Sequence, residues 1–495
     1  MPSTVAGSPI DASLRAALDE LRRAPDVRYG EVHFFDELTE RLQVRDGRPE
    51  LVTTGASTGA SLRVLGARTW GFACTADLTE AGLVRAAREA LAVARASSRV
   101  ARTTVQLPTQ PAAIGTYETA VGIDPFTVPL ADKLAALDAP VRALLAFGKP
   151  VQSAEAAMDW TRLTKRMLST EGSDTRQSFT YGACGMQVTA VDDSGQAQCR
   201  SYPVWVGGNG FQGGYERIAA LDLMAHTTRI AEEARDLLNA PACPAGVTDI
   251  ILESSQVALQ IHESCGHPTE LDRALGSEIS LAGGSFLQPH LLDNFRYGAS
   301  IVNIVADSTT ATGLGTFGWD DEGTPAGTHP LVREGLFVDY LSSRETAATL
   351  GRTSTGTMRA EGYTRTPLIR MVNVSLDPGV GTLEDLIADT QDGVYFECDK
   401  SWSIDDLRLN FQFSCELAWE IKGGKRTRLL RDSLYTGVTP RFWQGCDAIA
   451  GPSEWKLWGV DTCGKGDPMQ MMHVGHGASP ARFRGVTVGA TGGTS

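Results

Sequence analysis

Apolar residues recur at helical spacing in a few stretches of the chain and alternate with polar ones in many more. Residues 11–23 read as an amphipathic helix. Residues 79–97 read as another, with Leu83, Val84, Ala87, Ala90, Leu91, Val93 and Ala94 at helical spacing and Thr79 as N-cap. Residues 29–35 and 40–44 alternate like paired strands, and 61–65 with 69–74 like a second hairpin turning at Gly66-Ala67-Arg68. Four prolines (108, 111, 125 and 129) and few periodic apolar residues make 107–129 a connector. Residues 130–147 return to helical spacing, 152–203 alternate through several antiparallel strands, and 215–238 form a long amphipathic helix. After it, 239–246 hold two prolines and a closing glycine, the best domain boundary in the chain.

Beyond that boundary strands dominate. Candidates lie at 248–253, 300–306, 336–341, 367–375, 393–397, 410–421 and 428–436, with helices at 256–267 and 382–388. The basic stretch Lys422-Gly423-Gly424-Lys425 reads as a turn between strands. The expected fold class is α+β with two domains. An N-terminal α/β sandwich-like domain would span 1–240, and a mainly antiparallel β domain carrying the metal-binding helix would span 247–495. The terminal Gly/Ala/Thr run reads as a frayed end.

Composition narrows the function classes. No run of about 18 apolar residues exists, so no membrane-spanning helix is expected. Residues 1–10 lack the basic and apolar regions of a secretory signal. The net charge of −14 opposes a nucleic-acid partner, since phosphate binding needs a basic surface. Nine scattered cysteines with no C-x-x-C spacing point to a reducing, cytoplasmic setting with thiolates free to ligate metal.

The candidate chemistry sits in His262-Glu263-Ser264-Cys265-Gly266-His267. In the common H-E-x-x-H arrangement two histidines four apart share a helix face and hold zinc. Here the histidines are five apart, which on a regular helix separates them by roughly 140°. Both reach one metal ion only if the helix loosens through an i→i+5 turn, a rare feature associated with functional sites. Gly266 would ease that distortion, and Pro268 disfavours α geometry at His267. Two neutral imidazoles can hold Zn²⁺ with a position left open, and Glu263 would act as general base on the attacking water. For a third ligand, spacing leaves Glu270 open as a carboxylate and places Cys265 facing away. His473 and His476 form an H-x-x-H near the glycine-rich end that reads as surface or substrate-cleft residues. Asp320, Asp321 and Glu322 read as a turn beside the cleft, with a hard-cation site as the competing reading.

Several segments resemble the TldD/PmbA family of metallopeptidases. They are His262-Glu263-Ser-Cys-Gly-His267-Pro-Thr-Glu270-Leu-Asp272, Gly318-Trp-Asp-Asp-Glu-Gly-Thr-Pro325, Gly459-Val-Asp-Thr-Cys463-Gly464-Lys465, the ending Val486-Thr-Val-Gly489, and the early Gly59-Ala-Ser-Leu-Arg63 with Thr69-Trp-Gly-Phe-Ala. The similarity runs over nearly the whole chain in one order. It implies zinc held by His262, His267 and Cys463, Glu263 as general base, and Glu270 and Asp272 behind the imidazoles. It also implies hydrolysis of unfolded or small, modified peptides, commonly by a heterodimer with a metal-less TldE/PmbA-like subunit or else by a homodimer. An intact motif marks this chain as the metal-bearing subunit. Two other readings stand beside it: a natural-product tailoring amide hydrolase on the same scaffold, and a non-catalytic modulator subunit, which the acidic charge and intact motif oppose.

Overall fold

The computed structural model describes residues 9–205, 207–281 and 283–490. It is a mixed α and β structure with much strand and a few helices. The residues taken as a frayed end lie largely in 491–495, outside the described part.

The first half is built on an eight-stranded sheet. Its order runs Trp70–Thr75, Arg48–Leu65, Tyr29–Arg45, Val151–Ser169, Asp174–Val191 and Ile114–Glu118, with two short strands also pairing on Asp174–Val191. Residues 40–44 are not the partner of 29–35 but their continuation, in one strand of 17 residues. The reversal comes at Asp46-Gly47, both at positive φ (51° and 74°), the geometry of the tight hairpin turns that Asp-Gly favours. Helices Pro9–Arg23 and Glu80–Val100 cover the sheet with Leu14, Leu18, Leu21, Leu83 and Leu91. Thr79 caps the second of these by accepting from the Gly82 amide. Residues 215–238 do not form one helix. Asp222 takes a left-handed φ of 44°, ends Glu216–Leu221, and caps Leu223–Asn239 through its side chain.

The second half closes strands into a ring. Asp392–Ile404, Gly246–Leu252, Ala481–Ala490, Ser433–Val438 and Asn410–Lys422 pair in that order, and the last pairs back with the first. The expected turn at Gly423-Gly424 joins Asn410–Lys422 to Lys425–Leu430, with φ of 55° and 72°. A separate six-stranded sheet ends with Ile304–Asp307, Asn373–Leu376, Gln470–Ala478 and Lys456–Lys465, the last being its edge.

Helix Ser254–Ile261 lies between ring and sheet, and every one of its residues is buried. Gln256 and Gln260 bond to the Tyr435 hydroxyl of the ring at 3.0 and 3.1 Å. On the other side Trp458 of the edge strand donates to Ser254 Oγ. The serines at its start do not cap it. Glu253 does, accepting from the Ser255 amide at 2.6 Å. A helix polar on two sides survives complete burial here because most of its polar side-chain groups meet a partner, the Gln256 oxygen being the exception.

The acidic turn Asp320–Glu322 binds the two halves together. Glu322 accepts from Arg63 at 2.6 Å and from the Arg344 amide at 2.8 Å, and Asp321 pairs with Lys165. Asp320 accepts backbone amides of Glu322, Thr324 and Met358. All three carboxylates are buried. Arg63 and Lys165 offset the charges of Glu322 and Asp321, while burial and the neighbouring Glu322 push the Asp320 carboxyl well above the usual carboxylate range. Asp320 and Asp321 also line a cavity of about 270 Å³, so the turn is a structural bracket at a cleft edge rather than a cation site.

Candidate metal centre

At His262 the helix changes pitch. Residues His262–Gly266 form a π turn in which the His267 amide bonds to the His262 carbonyl, and His267–Thr269 follow as a 3₁₀ turn. The five-residue spacing is thereby converted into one shared face: the imidazole rings lie 4.8 Å apart, nearly perpendicular. A widened turn leaves carbonyls short of their usual partners, and side chains supply them. Tyr297 donates to Ser264 O, and Thr269 Oγ1 donates to the carbonyls of Cys265 and Gly266.

Gly266 has a reason other than the one its sequence position suggests. Its φ of −56° is ordinary for a helix. A Cβ there would collide with the Met371 sulfur, so the glycine makes room for that side chain, which lies just ahead of strand Asn373–Leu376.

The edge strand Lys456–Lys465 brings Cys463 to the same point. Its Sγ lies 3.8 Å from His267 Nε2, and one ligand atom each from His262, His267 and Cys463 lie within 4.8 Å of one another. Among the described residues this is the one such group of three. Zinc–nitrogen and zinc–sulfur bonds of about 2.0 and 2.3 Å in tetrahedral array put the two ligand atoms about 3.5 Å apart, so the set fits that ion. A register shift between Val460 and Cys463 marks a bulge that re-aims the strand just before the cysteine.

Hydrogen bonds fix which ring nitrogens point inward. His267 Nδ1 faces Glu270 Oε2 at 3.1 Å, so it carries the hydrogen and leaves Nε2 as a lone pair toward Cys463. His476 Nδ1 donates to the Val374 carbonyl at 2.9 Å, and its Nε2 lies 2.8 Å from His262 Nδ1. A carbonyl can only accept, so His476 Nε2 is the acceptor and His262 Nδ1 the donor. His262 Nε2 is then also free to ligate.

Electrostatics agree with ligation. Burial pushes His262 and His267 below their usual imidazole value, keeping them neutral. Burial opposes ionisation of Cys463, yet the thiol is held below its usual value by a proton shared with the facing His267 and by the charge of Arg370, and a metal ion would take that proton's place. Burial likewise opposes a charge on Glu270, yet Lys465, His267 and Arg273 hold its carboxyl well below the usual range.

The remaining sequence candidates fall out unevenly. Asp272 touches no imidazole; its carboxylate accepts from Lys465 Nζ at 2.7 and 3.0 Å, and so steadies the lysine that faces Glu270. Cys265 is fully buried, its thiol pushed up to about 12 by burial, and it belongs to the packing. His476 is no surface or cleft residue: it is completely buried behind His262. Glu263, 5% exposed, lines the same cavity as His262, His267 and Cys463. That cavity has a volume of about 560 Å³ and is walled further by Trp205, Trp402 and Lys400. Glu263 Oε2 accepts from Arg408 at 2.6 Å, a partner that nothing in the sequence announces.

The sequence model of the PmbA/TldA metallopeptidase C-terminal domain matches residues 245–490, and that of domain 1 of the same metallopeptidases matches 31–94. The chain belongs to this family. A metalloprotease of Methanothermobacter thermautotrophicus is 28% identical over 472 residues, 94% of this chain and 96% of that one. Two solved structures share the fold. One, a Thermotoga maritima protein described as a modulator of a DNA gyrase, has a TM-score of 0.76 at 17% identity, covering 97% of this chain and 100% of its own. TldE from Thermococcus kodakarensis has a TM-score of 0.73 at 13% identity with the same coverage. Among the described residues, no helix of this PmbA/TldA-family chain is long and apolar enough to cross a membrane.

Proposed function

We propose that this chain is a zinc-dependent peptidase that hydrolyses amide bonds in unfolded or small, modified peptides. The observation that carries the reading is the meeting of His262, His267 and Cys463 in a cavity that Glu263 also lines. Zinc held by those three residues would act as a Lewis acid that polarises the scissile carbonyl. Glu263 takes the proton of the attacking water and returns it to the leaving nitrogen. Glu270 and His476 keep both imidazoles turned with Nε2 inward, and Lys465 holds Glu270 in place.

The substrate is read from the walls. The edge strand Lys456–Lys465 reaches the cavity through Val460, Thr462, Cys463 and Gly464. An extended peptide would add to that edge, held by main-chain bonds with loose side-chain preference. A bound peptide found helical, or away from this edge, would refute the mode.

The family match and the TldE-like fold support a two-subunit enzyme, with this chain as the metal-bearing partner of a metal-less subunit or of a second copy. Residues 1–240 and 247–495 would serve as its two domains. Elemental analysis together with peptide-cleavage assays of wild type and Glu263→Ala, alone and with a candidate partner subunit, tests the reading. Activity that survives in Glu263→Ala would remove hydrolysis at this centre as the function.

A further inference from the structure

We propose that Arg408 is a second catalytic residue, whose guanidinium stabilises the negative charge that forms on the carbonyl oxygen of the scissile amide. The proposal rests on the peptidase reading above.

Arg408 projects from the turn that joins strands Asp392–Ile404 and Asn410–Lys422 of the ring. Its backbone is held in the left-handed region, φ 64°, which a residue with a Cβ adopts only when its surroundings impose it. The surroundings do. Asp405 accepts from the Leu409 and Asn410 amides at 2.7 and 3.1 Å, and Thr439 Oγ1 donates to the Arg408 carbonyl at 2.9 Å. A strained, braced turn aims this one side chain at the end of the metal-bearing helix.

The side chain is 15% exposed and lines the cavity that holds His262, His267 and Cys463. Nη1 donates to Glu263 Oε2 at 2.6 Å, while the buried Nε has no partner. A guanidinium offers five N–H donors, and leaving the buried Nε–H unmet costs stability unless another acceptor arrives. A tetrahedral oxyanion beside Glu263 is such an acceptor.

The movement of charge during hydrolysis supports the assignment. Water gives a proton to the Glu263 carboxylate as its oxygen bonds to the carbonyl carbon, and the C=O π pair moves onto the carbonyl oxygen. One negative charge leaves Glu263 and one appears on that oxygen. The C–N bond then breaks, the C=O re-forms, and the proton passes from Glu263 to the leaving nitrogen. Arg408 touches the group that loses the charge, so its ion pair weakens as the new anion forms. The interaction is therefore stronger in the transition state than before it, the condition for lowering the barrier.

The test uses the full-length, zinc-loaded chain as wild type, Arg408→Ala and Arg408→Lys. It needs an unfolded peptide that wild type cleaves and the phosphinic analogue of that peptide, whose tetrahedral anion mimics the transition state. For Arg408→Ala the expected result is a kcat loss of about 100- to 1,000-fold, as when one oxyanion donor is removed elsewhere. KM should stay within about threefold, the mark of an interaction made only in the transition state. Calorimetric affinity for the phosphinate should fall in parallel with kcat, zinc content should stay unchanged, and added guanidinium should restore part of the rate. Arg408→Lys keeps the charge without the fork; it should lose less on both measures and serves if the alanine variant fails to fold. Unchanged kcat, or a kcat loss with undiminished phosphinate affinity, overturns the proposal; the second outcome would leave Arg408 merely positioning Glu263. Wild type that holds no zinc or cleaves no peptide would instead sink the peptidase reading, before any variant is compared.

Discussion

His476 accepts the Nδ1 hydrogen of His262 from a strand 214 residues further along the chain. Because the Val374 carbonyl fixes the His476 tautomer, the direction of the whole relay is set by a backbone oxygen. Replacing His476 by phenylalanine keeps the ring and removes the acceptor. Zinc affinity should fall about 10- to 100-fold, the usual effect of losing a partner behind a ligating imidazole. Competition with a chromophoric chelator measures it, and equal affinities for variant and wild type would show that packing alone orients His262.

Alanine at His262, His267 or Cys463 should each abolish stoichiometric zinc, whereas Cys265→Ser should keep it. Elemental analysis of the purified chains reads both results. Zinc retained without Cys463 would return the third-ligand role to Glu270.

Gly266→Ala should destabilise the fold by about 1–3 kcal/mol, the range for forcing an extra carbon into a packed core. The cause is Met371, whose sulfur occupies the place of the new Cβ. Met371→Ala alone also costs stability, but in the double variant the two losses should be less than additive. Urea unfolding of the four chains completes the cycle, and strict additivity would mean that the two sites do not meet.

Burial, reinforced by the charge of Glu416, pushes the Asp399 carboxyl up to about 7. An acid with a folded value above its unfolded value near 4 favours the folded state when protonated. Its contribution is complete at low pH and is lost as pH rises toward about 7. Asp399→Asn should therefore remove a loss that wild type suffers on going from about pH 5 to about pH 8. Urea midpoints at the two pH values test this, and a variant whose advantage does not grow with pH would contradict it.

The first half of the site was legible because it is local. Two histidines five apart around a glutamate, followed by Pro268, already require a loosened helix turn, and the π turn His262–Gly266 is that turn. Cys463 was reachable only through family resemblance, since no spacing rule links residues brought together by a sheet edge. His476 and Arg408 were missed for a related reason. One depends on the register of Gln470–Ala478 beside Asn373–Leu376, the other on a left-handed turn whose Asp405-Asp406-Leu407-Arg408 sequence carries no glycine to signal it. The same limit holds for the fold. The strand Tyr29–Arg45 was read as two because Asp36-Glu37 interrupts the apolar pattern, although Asp46-Gly47 held the true turn signal. Asp320–Glu322 read as a turn beside the cleft, and Asp320 and Asp321 do line a cavity, but only the tertiary fold places Arg63 opposite Glu322 and Lys165 opposite Asp321.

His267 and Cys463 come within 3.8 Å although they stand 196 positions apart in the chain. An ion shared between them would staple the start of the ring-and-sheet unit to its final hairpin, and its binding energy would count toward folding. During synthesis the two imidazoles emerge long before the thiolate, so the coordination set is complete only after the chain has been made through Cys463. Zinc uptake would then report that the C-terminal hairpin has docked, and a chain truncated ahead of Cys463 would lack both its third ligand and the fastening that closes the unit.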